Sequence, residues 1–405
     1  MKYIKRTIET LLRNALNAGR SVLLLGPRQV GKTTLLKQLG EADLFYTLLD
    51  PELRLRLEKS PNVIRQEIKA YRKLHGSHKR PLVIIDEIQK VPALMDIVQL
   101  IIDEQEAQFI LTGSSVQKLR RHAQFNLLPG RVINLHLDPF MLEELSTVMT
   151  DITPFLLYGS LPGIYLNDNT SIRQADLESY TINYLQEEVR GEALVRNLDH
   201  FGQFLELVAL ESGNQLNMNK LSQELGIGRH TMSEYFKILE DCLLIESIEP
   251  ITKTTSRKRL TKSPKFLLFD MGIRRVLARE GEKLSTDTLG RLFEQFIGLE
   301  LIRSLRAHLP TAKLCYWRDH AGPEVDYVID YQQHYLPIKV KWTDLPTAKD
   351  AKHLLQFMAD YQCIWPGYII CRCDKPLLLH ENVIALPWQV LPMIVETLQK
   401  NIPQS

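Results

Sequence analysis

The residue types and spacing of a phosphate-binding loop occur in the run Gly26-Pro-Arg-Gln-Val-Gly31-Lys32-Thr33, between a strand pattern and a helix pattern. Glycines let backbone N–H groups surround phosphate oxygens, and the N-terminus of the next helix adds a partial positive charge. We expect Lys32 to reach the β- and γ-phosphates of ATP and the Thr33 hydroxyl to ligate Mg²⁺. The predicted nucleotide contacts are Gly26, Pro27, Arg28, Gln29, Val30, Gly31, Lys32, Thr33 and Thr34. The alternative is an ordinary glycine turn.

Two carboxylates, Asp86 and Glu87, follow directly after the aliphatic run Leu82-Val-Ile-Ile. Such a run is typical of a buried strand, so both carboxylates are predicted at its C-terminal tip. We expect Asp86 to hold Mg²⁺ through a water molecule and Glu87 to polarise the attacking water as general base. A pair of surface carboxylates without a catalytic role is the alternative.

Three hydroxyl residues, Thr112, Ser114 and Ser115, end another apolar run that begins at Phe109. A hydroxyl at this place could sense the γ-phosphate or orient water. We assign Ser114 to the catalytic set, although the pattern does not decide among the three. Strand ends also carry Ser and Thr for reasons of turn geometry alone.

Arg131 precedes a further strand pattern, in Leu-Pro-Gly-Arg131. A guanidinium can stabilise charge on a γ-phosphate, either within its own subunit or from a neighbouring one. The alternative is a purely structural arginine.

The elements that position these side chains are short apolar strands that alternate with helices over residues 1–165. This order predicts a mostly parallel α/β sheet with helices on both faces. A helical module that ends in a helix, a turn, a helix and a strand is expected over 166–264. A second α/β domain is expected over 265–405.

Composition restricts the class of protein only weakly. Of 405 residues, 44% are hydrophobic and 24% charged, as in soluble globular proteins. No run is long enough to span a membrane, so we expect a cytoplasmic location. The five cysteines lack zinc-site spacing and are interpreted as reduced thiols. A net charge of +2 indicates no particular partner, so evidence for nucleic acid must come from local clusters.

The ordered motifs along the chain resemble those of a bacterial and archaeal family of AAA-type ATPases fused to a DUF4143 domain. The motifs are Gly26-Pro-Arg-Gln-Val-Gly-Lys-Thr-Thr, Ile84-Ile-Asp-Glu-Ile-Gln, Leu111-Thr-Gly-Ser-Ser, Pro129-Gly-Arg, Tyr158-Gly159 to Pro162-Gly163, Ser263-Pro-Lys-Phe-Leu-Leu-Phe-Asp270-Met-Gly272, Gly290-Arg-Leu-Phe-Glu294, Tyr316-Trp-Arg and Glu324-Val-Asp326. The resemblance implies an AAA-like P-loop core, a winged-helix module and a C-terminal fold similar to restriction endonucleases. It also favours Arg131 as a finger that acts on a neighbouring subunit.

Nucleases of that C-terminal fold use a helix Glu, a strand Asp and a Glu-x-Lys on the next strand to hold Mg²⁺ and activate water. Glu294 and Asp326 match the first two positions, but Lys339 stands where the Glu is expected, ahead of Lys341. Because an ammonium repels a metal ion, we expect the domain to be catalytically inactive. Glu324 is the one alternative ligand.

Nucleic acid is the partner suggested by two basic stretches. The predicted helix-turn-helix carries Arg229 and His230 on its second helix, and a polar stretch follows with Lys253, Arg257, Lys258 and Arg259. Such residues favour salt-sensitive contacts with duplex phosphates. The alternative is an exposed surface that binds only protein.

These patterns together predict an ATP-hydrolysing switch or motor that acts on DNA or on a DNA-associated protein, and that can form a homo-oligomer. The alternatives are an ATP-gated metal-dependent nuclease and a scaffold that binds nucleotide without turnover. A small-molecule kinase is also compatible with the loop, but no acceptor pocket is evident.

Overall fold

The computed structural model describes residues 3–76, 80–115, 128–145, 151–184, 198–251, 263–319 and 322–400. The chain divides into two units, one formed by Met1–Phe140 with Lys237–Leu244 and the other by Met141–Phe236 with Ile245–Ser405. None of the helices in the described ranges is long and apolar enough to cross a membrane.

The first unit alternates strands and helices, as the sequence predicts. Its elements are α1 Ile8–Asn17, β1 Ser21–Leu25, α2 Lys32–Leu39, β2 Leu44–Thr47, α3 Pro51–Lys59, α4 Val63–His75, β3 Leu82–Asp86, α5 Leu94–Asp103, β4 Gln108–Gly113 and β5 Val132–His136. Local sequence sets several boundaries. The Asp50 side chain, for example, accepts the N–H groups of Glu52 and Leu53 and so caps α3.

All strand pairs of the first sheet are parallel, in the order β2-β3-β4-β1-β5. The predicted parallel sheet is therefore confirmed. Strand β4 lies between β1 and β3, with Leu24 beside Thr112 and Ile85 beside Leu111. This register brings the carboxyl ends of the three central strands to one edge, where α/β folds bind their ligands.

A buried apolar core fixes that edge, because alternate residues of the strands direct their side chains to one face of the sheet, where helix α5 packs. Helix α5 places Leu94, Met95, Val98 and Ile101 inward at helical spacing. These side chains join a cluster with Val83, Ile85, Phe109 and Leu111 from the strands. The strand ends are therefore rigidly held by packing.

The second unit begins with helices and ends in a mixed sheet. Its elements are α6 Thr153–Tyr158, α7 Pro162–Tyr165, α8 Thr170–Ser179, α9 Leu198–Glu211, α10 Met218–Leu225, α11 Arg229–Asp241, β6 Ile245–Pro250, β7 Lys265–Leu268, α12 Met271–Leu277, α13 Thr286–His308, β8 Lys313–Arg318, β9 Glu324–Tyr331, β10 His334–Val340, α14 Lys352–Tyr361, β11 Gly367–Cys371, β12 Leu377–His380, β13 Val383–Pro387 and α15 Leu391–Lys400. The last residues of α11 belong to the first unit.

One sheet joins the middle of the chain to its C-terminal part, in the order β12-β13-β11-β10-β9-β8-β6-β7. The antiparallel pair β6–β7 follows the helix-turn-helix α10–α11, and β6 continues in parallel register onto β8. The expected boundary at residue 264 thus falls within a single sheet. Strands β8, β9 and β10 form an antiparallel meander at its centre.

Candidate functional site

The loop between β1 and α2 has the backbone that a phosphate-binding turn needs. Gly31 precedes α2 with a φ of 97°, and Gln29 also takes a left-handed conformation with a φ of 62°. Gly26 is required for a different reason, because a Cβ there would meet the Leu137 carbonyl oxygen at 2.3 Å. Thr34, the last predicted contact, lies exposed in the first turn of α2.

Lys32 is enclosed by this loop. Its side chain is among the buried ones, with 5% exposure. The ammonium donates hydrogen bonds to the carbonyl oxygens of Gly26 at 2.8 Å and Pro27 at 2.9 Å. A buried ammonium needs such partners, and a phosphate oxygen could serve as well as a carbonyl. Lys32 is the first residue of α2, and its ammonium turns back onto the loop; its contact with the β- and γ-phosphates stays a prediction.

The predicted metal side of the site is a chain of oxygen atoms from the first turn of α2 and the ends of β3 and β4. The Thr33 hydroxyl donates to Asp86 Oδ2 at 2.9 Å, and the Thr112 hydroxyl donates to Asp86 Oδ1 at 2.6 Å. Asp86 itself is fully buried. Hydroxyl and carboxylate oxygens are the ligands that Mg²⁺ prefers, so the donor set fits this ion.

Glu87 adopts an unusual backbone conformation at the tip of β3. Its φ of 63° is left-handed, which costs energy for a residue other than glycine. Its N–H donates to the Thr112 hydroxyl at 2.9 Å. The turn directs the carboxylate toward β4, where the Ser114 hydroxyl donates to it at 3.3 Å. The carboxylate is thus held beside Asp86 but separate from it.

Gln89 is a site residue that the sequence analysis missed. Its side-chain amide donates to the Glu87 carboxylate and to the Ser114 hydroxyl, the latter at 3.0 Å. The residue is buried, and its Oε1 has no hydrogen-bond partner among the described residues. Its position two residues after Glu87 in the sequence could have indicated it, because a short 3₁₀ turn over these residues brings the two side chains together.

The three hydroxyl residues at the end of β4 and directly after it have different neighbours. Thr112 bonds the Asp86 carboxylate and Ser114 bonds the Glu87 carboxylate. Ser115 is fully buried after the strand end. Ser114 is therefore the hydroxyl that contacts the carboxylate of the predicted general base, and its catalytic role stays a prediction.

Arg6 also supports the loop, although no local pattern indicates it. Its guanidinium is buried and donates to the Val30 carbonyl at 2.9 Å and to the Asp138 carbonyl at 2.7 Å. The group also lies over the Phe140 ring, 4.9 Å from its centroid. Arg6 thereby ties the phosphate-binding loop to the segment that follows β5.

Arg131 lies at the other end of the sheet. Ser21 pairs with Val132 and Leu25 with His136, so the length of the five-residue strand β1, about 13 Å from its first to its last residue, separates Arg131 from the loop. The guanidinium instead makes two hydrogen bonds to Asp103, at 2.6 and 3.0 Å, which hold the pKa of that carboxyl below its usual value. This position excludes the expected contact within the subunit and leaves contact from a neighbouring subunit as a prediction.

The residues predicted to form an altered nuclease centre come together in the second unit. Lys339 Nζ lies 2.6 Å from Asp326 Oδ1 and 3.7 Å from Glu324 Oε1. The other Asp326 oxygen accepts the N–H of Val340 at 2.7 Å. The Lys339 ammonium therefore lies between the carboxylates of Asp326 and Glu324. In the described parts of the chain no group of three or more His, Cys, Asp or Glu side chains is arranged to hold a metal ion.

Glu294 faces this ion pair from α13. It accepts a hydrogen bond from Lys265 at 3.3 Å. Burial and the nearby charge of Asp326 raise the pKa of Glu294 to about 7. Lys341 lies apart from the centre, 3.9 Å from Asp350. Of the four predicted residues, Glu294, Asp326 and Lys339 thus lie close together, whereas Lys341 lies apart from them.

The nucleic-acid candidates are described only in part. Arg229 and His230 begin α11 and are exposed, and His230 lies 3.6 Å from Glu234 on the same helix. Lys253, Arg257, Lys258 and Arg259 lie outside the described residues.

Comparison with known families matches the chain in three segments. Residues 18–146 match a family model described as an AAA domain, residues 149–284 match the domain of unknown function DUF8612, and residues 289–391 match the domain of unknown function DUF4143. The AAA and DUF4143 segments confirm the resemblance inferred from the motifs, and the middle segment adds a domain that the motifs did not name.

Relatives cover most of the chain but carry no assigned activity. Uncharacterized proteins of Mycobacterium tuberculosis and Mycobacterium bovis are each 25% identical over 395 residues, which is 95% of this chain and 83% of theirs. An uncharacterized protein of Methanocaldococcus jannaschii is 25% identical over 298 residues, 61% of this chain and 60% of its own. Among solved structures, a Vibrio cholerae protein covers 94% of this chain and 97% of its own at 10% identity, with a TM-score of 0.21 that supports no argument.

Proposed function

We propose that this chain, in which an AAA domain precedes two domains of unknown function, is a Mg²⁺-dependent ATPase that works as a molecular switch or motor. The AAA domain indicates that a nucleoside triphosphate is bound. The observation that carries the proposal is that two adjacent carboxylates at one sheet edge have different hydrogen-bond partners. Asp86 bonds Thr33 and Thr112, whereas Glu87 is directed to Ser114 and Gln89.

The residues of the loop would bind the triphosphate. Lys32 would exchange the carbonyl oxygens of Gly26 and Pro27 for phosphate oxygens, and the backbone N–H groups of the loop would complete the contact. Thr33 and Asp86 would hold Mg²⁺, which when bound neutralises charge on the β- and γ-phosphates. Hydrolysis then needs a base, because water is a poor nucleophile at neutral pH.

Glu87 supplies that base in our proposal. Its carboxylate is buried and accepts hydrogen bonds from two neutral donors, Gln89 and Ser114. The Glu87 carboxylate would take a proton from the attacking water. Gln89 and Ser114 would hold its orientation. A site that only binds nucleotide has no need of this arrangement.

DNA, or a protein bound to DNA, is the proposed partner of the ATPase. Support comes from the helix-turn-helix α10–α11, whose second helix begins with exposed Arg229 and His230. The sequence adds a basic stretch from Lys253 to Lys262 directly before β7. A gel-shift series against salt tests this partner, since phosphate contacts weaken steeply as salt rises. Absence of binding to any duplex at low salt would overturn it.

Steady-state ATP hydrolysis by the purified protein, with and without duplex DNA and beside Glu87→Gln, tests the ATPase. Turnover that depends on Mg²⁺ and is lost in Glu87→Gln supports hydrolysis, and stimulation by duplex supports the DNA partner. Turnover that is the same with and without DNA would favour a protein partner instead. No turnover under any condition, with nucleotide still bound, would replace the ATPase with a nucleotide-binding scaffold.

A further inference from the structure

A small cavity opens beside the altered nuclease centre of the second unit. Its volume is about 140 Å³. The walls come from the loop after α9, the start of β7, helices α12 and α13, and the facing ends of β8 and β9. Each of these elements lies within the second unit.

Basic side chains outnumber acidic ones along the described walls. Lys265, Arg274, Arg291 and Arg318 line the cavity, against Glu294 and Glu324. Both carboxylates already have cationic neighbours. Glu294 accepts from Lys265 at 3.3 Å, and Glu324 lies 3.7 Å from Lys339, which is outside the walls. The excess of basic over acidic side chains in the cavity wall favours an anion.

Two of the four cations, Arg291 and Arg318, are exposed. Arg291 is exposed on α13, one turn before Glu294. Arg318 is exposed at the end of β8, directly opposite Glu324 of β9. Arg274, by contrast, is buried and bonds Glu280 and the Ala209 carbonyl, so it contributes mainly structure.

Neutral groups complete the cavity wall. The Gln295 side chain accepts a hydrogen bond from Ser212 through its Oε1 at 2.8 Å, which leaves its amide hydrogens as donors. Asn214 lies in the same wall. Guanidinium forks with amide donors match the geometry of a tetrahedral oxyanion.

We propose that this cavity binds a phosphate-class oxyanion without any metal ion, through Arg291, Arg318 and Lys265. In a metal-dependent site, the positive charge between the protein carboxylates and the phosphate belongs to a metal ion, which can dissociate. Here Lys339 supplies that positive charge covalently, 2.6 Å from Asp326. With this fixed charge the centre would hold a phosphoryl group rather than cleave a phosphodiester. The proposal does not depend on the ATPase, because it uses none of its residues.

The first experiment titrates sulfate, a tetrahedral dianion, into the full-length chain in the presence of EDTA. Lys32→Ala serves as the common background, so that the phosphate-binding loop does not contribute. Calorimetry then compares this background with the added pair Arg291→Gln and Arg318→Gln, at ionic strength matched with sodium chloride. Arg279→Gln is the control, because that side chain is 79% exposed, pairs with Glu206 and does not line the cavity.

We expect the paired substitution to weaken sulfate binding at least tenfold and Arg279→Gln to leave it unchanged. Arg291→Gln alone, at an exposed position that folding tolerates, should weaken binding about threefold. Equal sulfate affinity in all of these proteins, or affinity that requires Mg²⁺, would overturn the proposal.

Oligonucleotides distinguish the two sources of the phosphoryl group. A duplex with 5′-phosphates is compared with the same duplex bearing 5′-hydroxyl ends, by fluorescence anisotropy. Tighter binding of the phosphorylated ends that is lost with Arg291→Gln and Arg318→Gln supports the site and assigns it to nucleic-acid ends. Equal binding of both duplexes, with the sulfate result intact, supports the site and assigns it to a free phosphate or nucleotide.

Discussion

At the scale of single residues, the nucleotide site is defined by which carboxylate each polar group contacts. The Asp86 carboxylate accepts hydrogen bonds from two hydroxyl groups, whereas the Glu87 carboxylate accepts one from an amide and one from a hydroxyl. Two adjacent carboxylates can thus have separate tasks, because β3 ends between them and Glu87 turns into a left-handed conformation.

Changing Glu87 to Gln tests the base directly. The amide keeps the size of the side chain but cannot accept a proton, so we expect turnover to fall about 100-fold or more while nucleotide affinity stays within about twofold. Steady-state kinetics with a nucleotide titration measures both. Glu58→Gln on the exposed face of α3 is the matched control. Turnover at the wild-type rate in Glu87→Gln would refute the assignment.

Gln89→Leu tests whether Gln89 positions the base. The change removes the donor to Glu87 together with a buried oxygen that has no partner among the described residues. We therefore expect kcat to fall about tenfold with KM unchanged, and stability to be kept, since an unsatisfied buried group is lost. A fall in stability with unaltered kcat would indicate a packing role instead.

The pair His308–Glu143 gives a pH dependence to stability. The Glu143 hydrogen bond, 2.8 Å from His308 Nε2, raises the pKa of His308. A raised histidine pKa means that the stabilisation is complete below the unfolded pKa near 6.5 and is lost as pH rises through the folded value. We expect His308→Gln to destabilise the second unit by about 1 kcal/mol at pH 6 and by less at pH 9. Chemical unfolding at both pH values measures the difference, and an equal loss at both would exclude the ion pair as its cause.

At the scale of elements, a packing junction gives a structural reason for two of the motifs that resemble a family signature, those around Gly159 and Gly272. Gly159 and Gly272 both lie against the α6–α12 contact, and buried Asp270 caps α12 and accepts the Ser160 N–H at 2.8 Å. Arg303 donates to the Phe269 carbonyl at 2.7 Å in the same junction. Each glycine is needed because a backbone or a carboxylate occupies the space of its missing Cβ.

Gly159→Ala tests that junction. The new Cβ would meet Asp270 Oδ1 at 2.0 Å, at a backbone φ of 70° and ψ of −159° that only glycine adopts readily. We expect a loss of roughly 3 kcal/mol in the stability of the second unit, from overpacking and backbone strain together. Gly163→Ala, with nothing within 4 Å of the added atom, is the control and should change stability little. Equal thermal unfolding of the two variants would show that the junction is not strained.

Sequence predicts those elements whose pattern is local. The loop, the five parallel strands and the carboxylates after β3 each follow from a continuous run, and the structure has them there. Arg6 could not be found in this way, because its partners Val30 and Asp138 are distant in the chain. The pairing of β6 with β8 and the far position of Arg131 also depend on sheet register, which no single run encodes.

At the scale of the whole molecule, the nucleotide site and the proposed oxyanion site belong to different units. Loss of one should therefore leave the intrinsic binding of the other measurable. This separation also restricts Arg131: since it cannot reach the loop of its own chain, a role in hydrolysis requires a second copy of the protein.

Mixing variants tests that requirement. If Arg131 acts on a neighbouring subunit, Arg131→Ala should reduce turnover by at least tenfold with little effect on nucleotide affinity, and added Lys32→Ala subunits should restore part of it by supplying the missing guanidinium. Asp103→Ala separates this role from a structural one, because it breaks the same ion pair but leaves the guanidinium in place. A finger predicts near-normal turnover for Asp103→Ala, whereas a structural pair predicts that Asp103→Ala and Arg131→Ala are equally impaired. If both variants lose the same turnover and the mixture recovers none, Arg131 stabilises the end of the sheet where α5 and β5 meet. Hydrolysis would then not require Arg131 from a second subunit.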